Sequence, residues 1–332
     1  MKLRATCYQM GEWNITHLLP LPDFGGSIPE IHMEDSTVEL QVLCRKGTGE
    51  KIWAMRNIDL QAESRLNSVG QKQWEFAGKL LGDHFKNVNL QGLVDVEDGR
   101  WSAWGTMDGL ELSQRLLDAA PNDVAGYLSP LATLRARAHF TFQVGHDPDD
   151  TELVRVRING HVAEGRVQDP RLPLPLSDLE ADVYCDNHEI RIENITARSG
   201  PTLLGLTCRC DDYLGDSPKL QLEASVRQLL LDEQLSNALP DQLRDDWDQL
   251  KPAGVVDLDI QLSMQDNRFV PDVTITCHDI SFVAPKFPIR LRQGNGRLRL
   301  VDNIWSVQEF TALAADQRLH LRGEFRDPGA RA

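Results

Sequence analysis

The chain has 332 residues, with 50 acidic against 35 basic side chains and a formal charge of −15. Nucleic acid and anionic lipid head groups repel such a net anion, so general electrostatic binding to either is excluded. At 41% hydrophobic residues the chain can bury a sizeable core, and no stretch reaches the roughly 18–20 continuous apolar residues that cross a bilayer as a helix.

Met1 to Gly11 lacks the apolar core of a signal peptide. Either the chain is cytosolic or it is a piece of a longer protein whose targeting segment lies upstream, and the second reading is our expectation. The first hundred residues carry strand-like alternation around Val38–Val42, Trp74–Leu80 and Val88–Val96. We read residues 1–109 as the end of a preceding β unit.

An internal repeat begins next. Displacing the chain by 119 residues lays Gly99–Leu131 on Pro218–Leu250, with Leu110 on Leu229, Leu112 on Leu231, Leu116 on Leu235, Ala119 on Ala238, Pro121 on Pro240 and Leu131 on Leu250. Ordinary composition gives about two such identities over that length. Residues 110–228 and 229–332 are therefore expected to be two copies of one unit. Ser113 and Asp232 are N-cap residue types, and Leu112, Leu116, Ala120 and Leu231, Leu235, Leu239 recur every four residues as one helix face. Pro121 and Pro240 break that helix or start another. Each copy is expected to place a short helical hairpin at residues 112–131 and 231–250.

After each hairpin the apolar period changes from about 3.6 to 2. The first copy offers Phe140, Phe142 and Val144, then Val154, Val156 and Ile158, then Leu179 to Cys185 with Val183, then Ile190 and Ile192. The second offers Val256, Leu258, Ile260, Leu262 and Met264, then Val273, Ile275 and Cys277, then Leu298 and Leu300, then Leu319 and Leu321. Asp186-Asn187, Asp302-Asn303 and Gln293-Gly294-Asn295-Gly296 read as turns between them. Even positions from Val256 to Met264 should face the same side as Val273, Ile275, Leu298 and Leu300. The fold class is mainly β: an antiparallel sheet built from repeats with short helical hairpins inserted. Two small hairpins cannot cover so many one-faced strands, so the apolar face must pack on another sheet, curl on itself or hold an apolar ligand.

The run from Leu172-Pro173-Leu174-Pro175-Leu176 to Val183, then Ile190-Arg191-Ile192 to Gly200, resembles the repeats of AsmA-like bacterial envelope proteins, the group that includes TamB-like and YhdP-like proteins. Pro285 to Leu291, Gly296 to Leu300, Leu319 to Gly323 and Trp74 to Leu80 fit the same pattern. The resemblance implies an elongated, twisted β-groove anchored to the inner membrane through segments outside this chain, in the periplasm of a diderm bacterium. It implies phospholipid or another acyl lipid as partner, and envelope proteins as further partners. On that basis the lipid-groove candidates are Phe140, Phe142, Val154, Val156, Val183, Ile190, Ile192, Val256, Leu258, Ile260, Leu262, Val273, Ile275, Leu298 and Leu300. The alternative is a structural or assembly scaffold of the envelope that carries no lipid.

Catalytic and metal chemistry find no foothold, so we expect no enzyme activity, no cofactor and no metal. Cys277 and His278 alternate to opposite faces of a strand, and Asp147, Asp149 and Asp150 lack the ligand spacing and closing Glu of a calcium loop. No GxSxG, HExxH or P-loop is present, and Gly294-Asn295-Gly296 lacks the third glycine of a dinucleotide site. No pair of carboxylates can be singled out for glycan hydrolysis, and Trp101 and Trp104 face opposite sides of their strand, which disfavours a two-ring sugar platform. Cys7, Cys44, Cys185, Cys208, Cys210 and Cys277 are too few to staple a chain of this length, and Cys185 and Cys277 are expected to be buried thiols.

Overall fold

The computed structural model describes residues 2–7, 30–42, 51–66, 70, 72–95, 98–119, 131–150, 152, 154–169, 172, 175–215, 217–239, 241–265, 268–284, 287–301 and 304–326. They form two compact units, Met1–Val162 with Tyr184–Asn187, and Ala163–Val183 with His188–Ala332. In neither does the sheet close into a barrel.

In the first unit β1 (Lys2–Cys7) pairs in parallel with β2 (Glu30–Val42). From β2 each strand runs antiparallel to its predecessor through β3 (Lys51–Leu66), β4 (Lys72–Gly82), β5 (Phe85–Asp95), β6 (Trp101–Leu112) and β7 (Leu134–His146). Helix α1 (Gln114–Ala119) leaves β6 and seats Leu116 in the interior. Two strands follow, β8 (Arg155–Val167), which belongs to this unit as far as Val162, and β9 (Leu176–Asp186), of which only the end from Tyr184 does. The second unit continues as an antiparallel meander: β10 (Glu189–Ser199), β11 (Thr202–Asp211), β12 (Lys219–Leu231), β13 (Ala253–Gln265), β14 (Arg268–Ala284), β15 (Phe287–Val301), β16 (Ile304–Ala314) and β17 (Gln317–Arg326). Helices α2 (Glu233–Ala238) and α3 (Asp241–Leu250) join β12 to β13.

The repeat extends to the elements themselves. A displacement of 119 residues carries α1 onto α2 and β7 onto β13, and one of 115 carries β10 onto β16 and β11 onto β17. Asp232 caps α2, its carboxylate accepting from the Leu235 amide at 3.0 Å. At Ser113 only the backbone carbonyl serves this role, accepting from Leu116 and Leu117. In the second copy the two expected helices form, over Glu233–Ala238 and Asp241–Leu250. In the first copy one helix lies among the described residues, and residues 120–130 lie outside them.

Two expectations are corrected by the strand ends. Leu112 closes β6 and Leu231 closes β12, so these two leucines belong to strands and not to the expected helix face. Gln293-Gly294-Asn295-Gly296 is no turn, for it lies inside β15. Its left-handed Gln293, φ 50°, is absorbed as a bulge between Arg292 and Asn295.

Such bulges recur along the chain, each holding one residue at positive φ. Asn194 sits between Ile192 and Ile195, Gln228 between Val226 and Leu229, Asp279 between Cys277 and Ile280, and Glu309 between Val307 and Phe310. Gly109 does the same between Met107 and Leu110, 119 residues before Gln228. One extra residue shifts the side-chain alternation by one position. The apolar pattern shifts with it, so both halves of the strand keep their apolar side chains on one face. In the second unit the core sits beside these bulges, with Val256, Cys277, Ile280, Leu291, Phe310 and Ala312 all buried.

Candidate functional site

Cα partners in an antiparallel ladder share a face, so the pairing register places each candidate. In the second unit Leu204 pairs with Val226, Val226 with Leu258, Leu258 with Ile275, Ile275 with Leu298 and Leu298 with Val307. The next row runs Leu206, Ala224, Ile260, Val273, Leu300 and Trp305. A third runs Ile192, Cys208, Leu222, Leu262 and Pro271, and a fourth begins with Ile190, Cys210 and Leu220. No charged side chain interrupts these rows. At about 4.8 Å per strand, the six strands from β11 to β16 make an apolar strip roughly 24 Å wide. Every one of these row residues is half-buried, neither enclosed nor free in solvent.

The opposite face of the same strands is mainly polar, with Leu203 and Leu230 exposed upon it. Arg299 clamps Asp272 with two hydrogen bonds of 3.0 and 2.6 Å, which holds that carboxyl below its usual range. Asp257 accepts from the Gln228 amide at 2.8 Å and meets His278 at 2.9 Å, and the backbone bond first and the imidazole second lower its pKa. Arg209 bridges Glu189 and Asp211, and Arg227 bridges Asp259. The strands are therefore two-sided, one side hydrated by ion pairs and the other apolar.

The ten candidates of the second unit on β10, β13, β14 and β15 are all brought together on this face: Ile190, Ile192, Val256, Leu258, Ile260, Leu262, Val273, Ile275, Leu298 and Leu300. Val256 differs in being 4% exposed, as part of the core at the bulges. Val183 is half-buried on β9. In the first unit Phe140 pairs with Met107, and Phe142 with Gly105. Both rings lie on the apolar side formed by Leu60, Gly78 and Leu90 in the same register. Val156 is half-buried on β8, its amide donating to Asn187 Oδ1 at 2.6 Å. Val154 departs from the expected strand: it precedes β8 and is 43% exposed. The carbonyl of Val154 accepts from Asn187 Nδ2, so the turn asparagine holds the chain there and not a ladder partner.

Sequence reasoning missed β11 and β12 as parts of this face. Leu220, Leu222, Ala224 and Val226 alternate with polar residues, a signal that was available but was overlooked beside the helical reading of Leu231. It also missed Ile280, Phe282, Leu291 and Phe310, because the bulges put them out of phase with Cys277 and Val307. Phe282 and Phe310 tilt against each other with ring centroids 6.1 Å apart.

The cysteines follow the apolar side. Burial pushes the Cys277 thiol up to about 11, and it also raises Cys208 and Cys210, which stand beside Ile192 and Ile190. Cys185 is half-buried, less enclosed than expected. Asp147 and Asp149 are held by Arg100, and Asp150 by Arg155. Among the described residues no group of three or more His, Cys, Asp and Glu is placed to hold a metal, and no helix is long and apolar enough to cross a membrane.

No family model, curated protein or solved structure matches this chain.

Proposed function

We propose that the chain is a non-enzymatic lipid-binding segment of an envelope-spanning protein of AsmA-like type, in which the apolar sheet face shields acyl chains between membranes. One observation carries the reading: rows of apolar side chains run without a polar interruption across β11 to β16, each half-buried. Exposing a two-tailed lipid of roughly 30 methylenes to water costs more than 20 kcal/mol at about 0.8 kcal/mol per CH₂. A continuous aliphatic strip removes much of that cost without any specific side chain. The ion-paired opposite face keeps the strands wettable and directs an apolar ligand to one side.

The test begins with lipid extraction and mass spectrometry of the protein purified without detergent. The delipidated protein is then titrated with a phospholipid bearing a fluorophore on one acyl chain. Saturable binding that tightens with tail length is expected. If no lipid co-purifies and the probe does not bind, the sheet serves as a scaffold of the envelope instead.

A further inference from the structure

The first unit carries ion pairs too, such as Arg65 with Glu63 and Glu75, but a patch across β5 to β8 departs from that pattern. Four strands, β5 to β8, line a concavity of about 600 Å³ with two rows of polar side chains. One row runs Asn89, Thr106, Thr141 and Asn159, the other Gln91, Trp104, Gln143 and Arg157. Asn89 Nδ2 donates to Thr106 Oγ1 at 3.1 Å, and Thr141 Oγ1 donates to the Asn159 carbonyl at 3.4 Å. The Trp104 indole N–H donates to Gln91 Oε1 at 3.0 Å, which fixes the ring plane. No carboxylate lines the concavity, although the chain carries 50 of them. The next carboxylate along β6, Asp108, is already engaged by Asn87 and His139. Among the described residues, the Arg157 guanidinium and the Gln143 amide have no partner, and both are exposed.

We infer that this concavity binds an acidic oligosaccharide, independently of any lipid on the opposite face. The oriented indole offers a flat apolar surface for the C–H face of one pyranose ring. Amides and hydroxyls at ladder spacing both donate and accept, which matches the vicinal hydroxyls of sugars and suits neither a lipid tail nor a polyanion needing many cations. Arg157 supplies a fork for one carboxylate or phosphate substituent. A single cation in a chain of charge −15 selects a sparsely charged ligand, because a dense polyanion would meet net repulsion.

Isothermal titration of the intact chain with a cellotetraose carrying a single uronic acid ring (the acidic tetramer), with cellotetraose itself and with inorganic phosphate tests this. The acidic tetramer should bind at least tenfold tighter than the neutral one, and phosphate should not compete at matched concentration. Trp104→Ala should weaken the acidic tetramer at least tenfold, whereas Trp104→Phe keeps a ring and stays within about threefold. Arg157→Gln should bring the acidic tetramer down to the affinity of the neutral one. If Trp104→Ala fails to melt cooperatively, Arg157→Glu at its exposed position replaces it and should abolish binding of the acidic tetramer. Absence of heat with both sugars overturns the inference, as does unchanged affinity in the Trp104 or Arg157 variants or full competition by phosphate. Lipid binding through Leu258 and Ile260, in the other unit, is measured separately, so either proposal can fail without the other.

Discussion

Gly254 stands on β13 with φ at 129°, beside the bulge that carries Asp279. A Cβ there would lie 2.7 Å from Ile280 Cα and 2.9 Å from the Asp279 carbonyl oxygen, both backbone atoms that cannot swing aside. Gly254→Ala should therefore cost about 2 kcal/mol or more in urea unfolding, from overpacking and backbone strain together. Gly323→Ala is the control, since a Cβ at that position meets nothing within 4 Å, and it should shift the midpoint little. A few residues away, Cys277 is 3% exposed among Val256, Ile280 and Phe310. Its thiol, pushed up to about 11 by burial, is only about one part in a thousand ionised at pH 8. Iodoacetamide at pH 8 should leave Cys277 unlabelled in the folded protein and label it in urea, as peptide mass spectrometry would read. Because the folded pKa is the higher one, the neutral thiol stabilises the fold below the ordinary thiol value of 9.0, and that contribution is lost as pH rises toward about 11. Replacing Cys277 by Val should remove this part of the alkaline sensitivity. Labelling in the folded state as fast as at Cys208 would show the site to be open.

At the scale of elements the bulged strand is the recurring device. In β14 the order Ile275, Cys277, then Ile280, Phe282 is a period-two pattern with one residue inserted, and Asp279 at φ 53° takes up the insertion. Asn, Asp and Gly tolerate that region, whereas a β-branched side chain pays about 1–2 kcal/mol for it. Asp279→Val should lose stability of that order, and Asp279→Gly should be close to neutral. Equal effects in both would mean that the left-handed turn does not constrain the strand. Asp232→Ala should cost about 1 kcal/mol by removing the cap on α2, visible as a shift in thermal midpoint. The bulges also explain which parts of the fold could be read in advance. Strict alternation from Val256 to Met264 identified β13 and its facing partners without difficulty, because no bulge breaks the run. Ile192 and Ile195, Val307 and Phe310, and Cys277 and Ile280 lie three apart, a spacing that imitates a helix and hides the shared face. Gln293 to Gly296 carry turn chemistry, but the hydrogen bonds of β14 and β16 on either side hold them within a strand. Short-range residue preference was overridden there by the neighbouring ladder.

Across the whole molecule the deciding quantity is the dryness of the apolar face. The opposite face contributes little by its ion pairs, since exposed bridges such as Arg299–Asp272 and Arg227–Asp259 are each worth about 0–1 kcal/mol. Those pairs settle which side meets water, whereas the stability rests on ladder bonds and on the core around Cys277, Ile280 and Phe310. Leu258 packs against the edge of that core and Ile260 lies one row beyond it, each half-buried in the middle of an apolar row. A double replacement, Leu258→Asp with Ile260→Asp, puts two carboxylates where an acyl chain would lie. On a face open to solvent the new charges stay hydrated, so the cooperative thermal transition should survive while binding of the acyl probe falls at least tenfold. In a dry, packed interior the same charges would be buried without partners and would abolish the transition. Paired measurements of the melt and of probe binding thus separate three states of affairs. A normal melt with lost binding supports acyl-chain binding on this strip. A normal melt with unchanged binding removes the strip from lipid contact, and a lost melt places Leu258 and Ile260 in a closed core that holds no ligand.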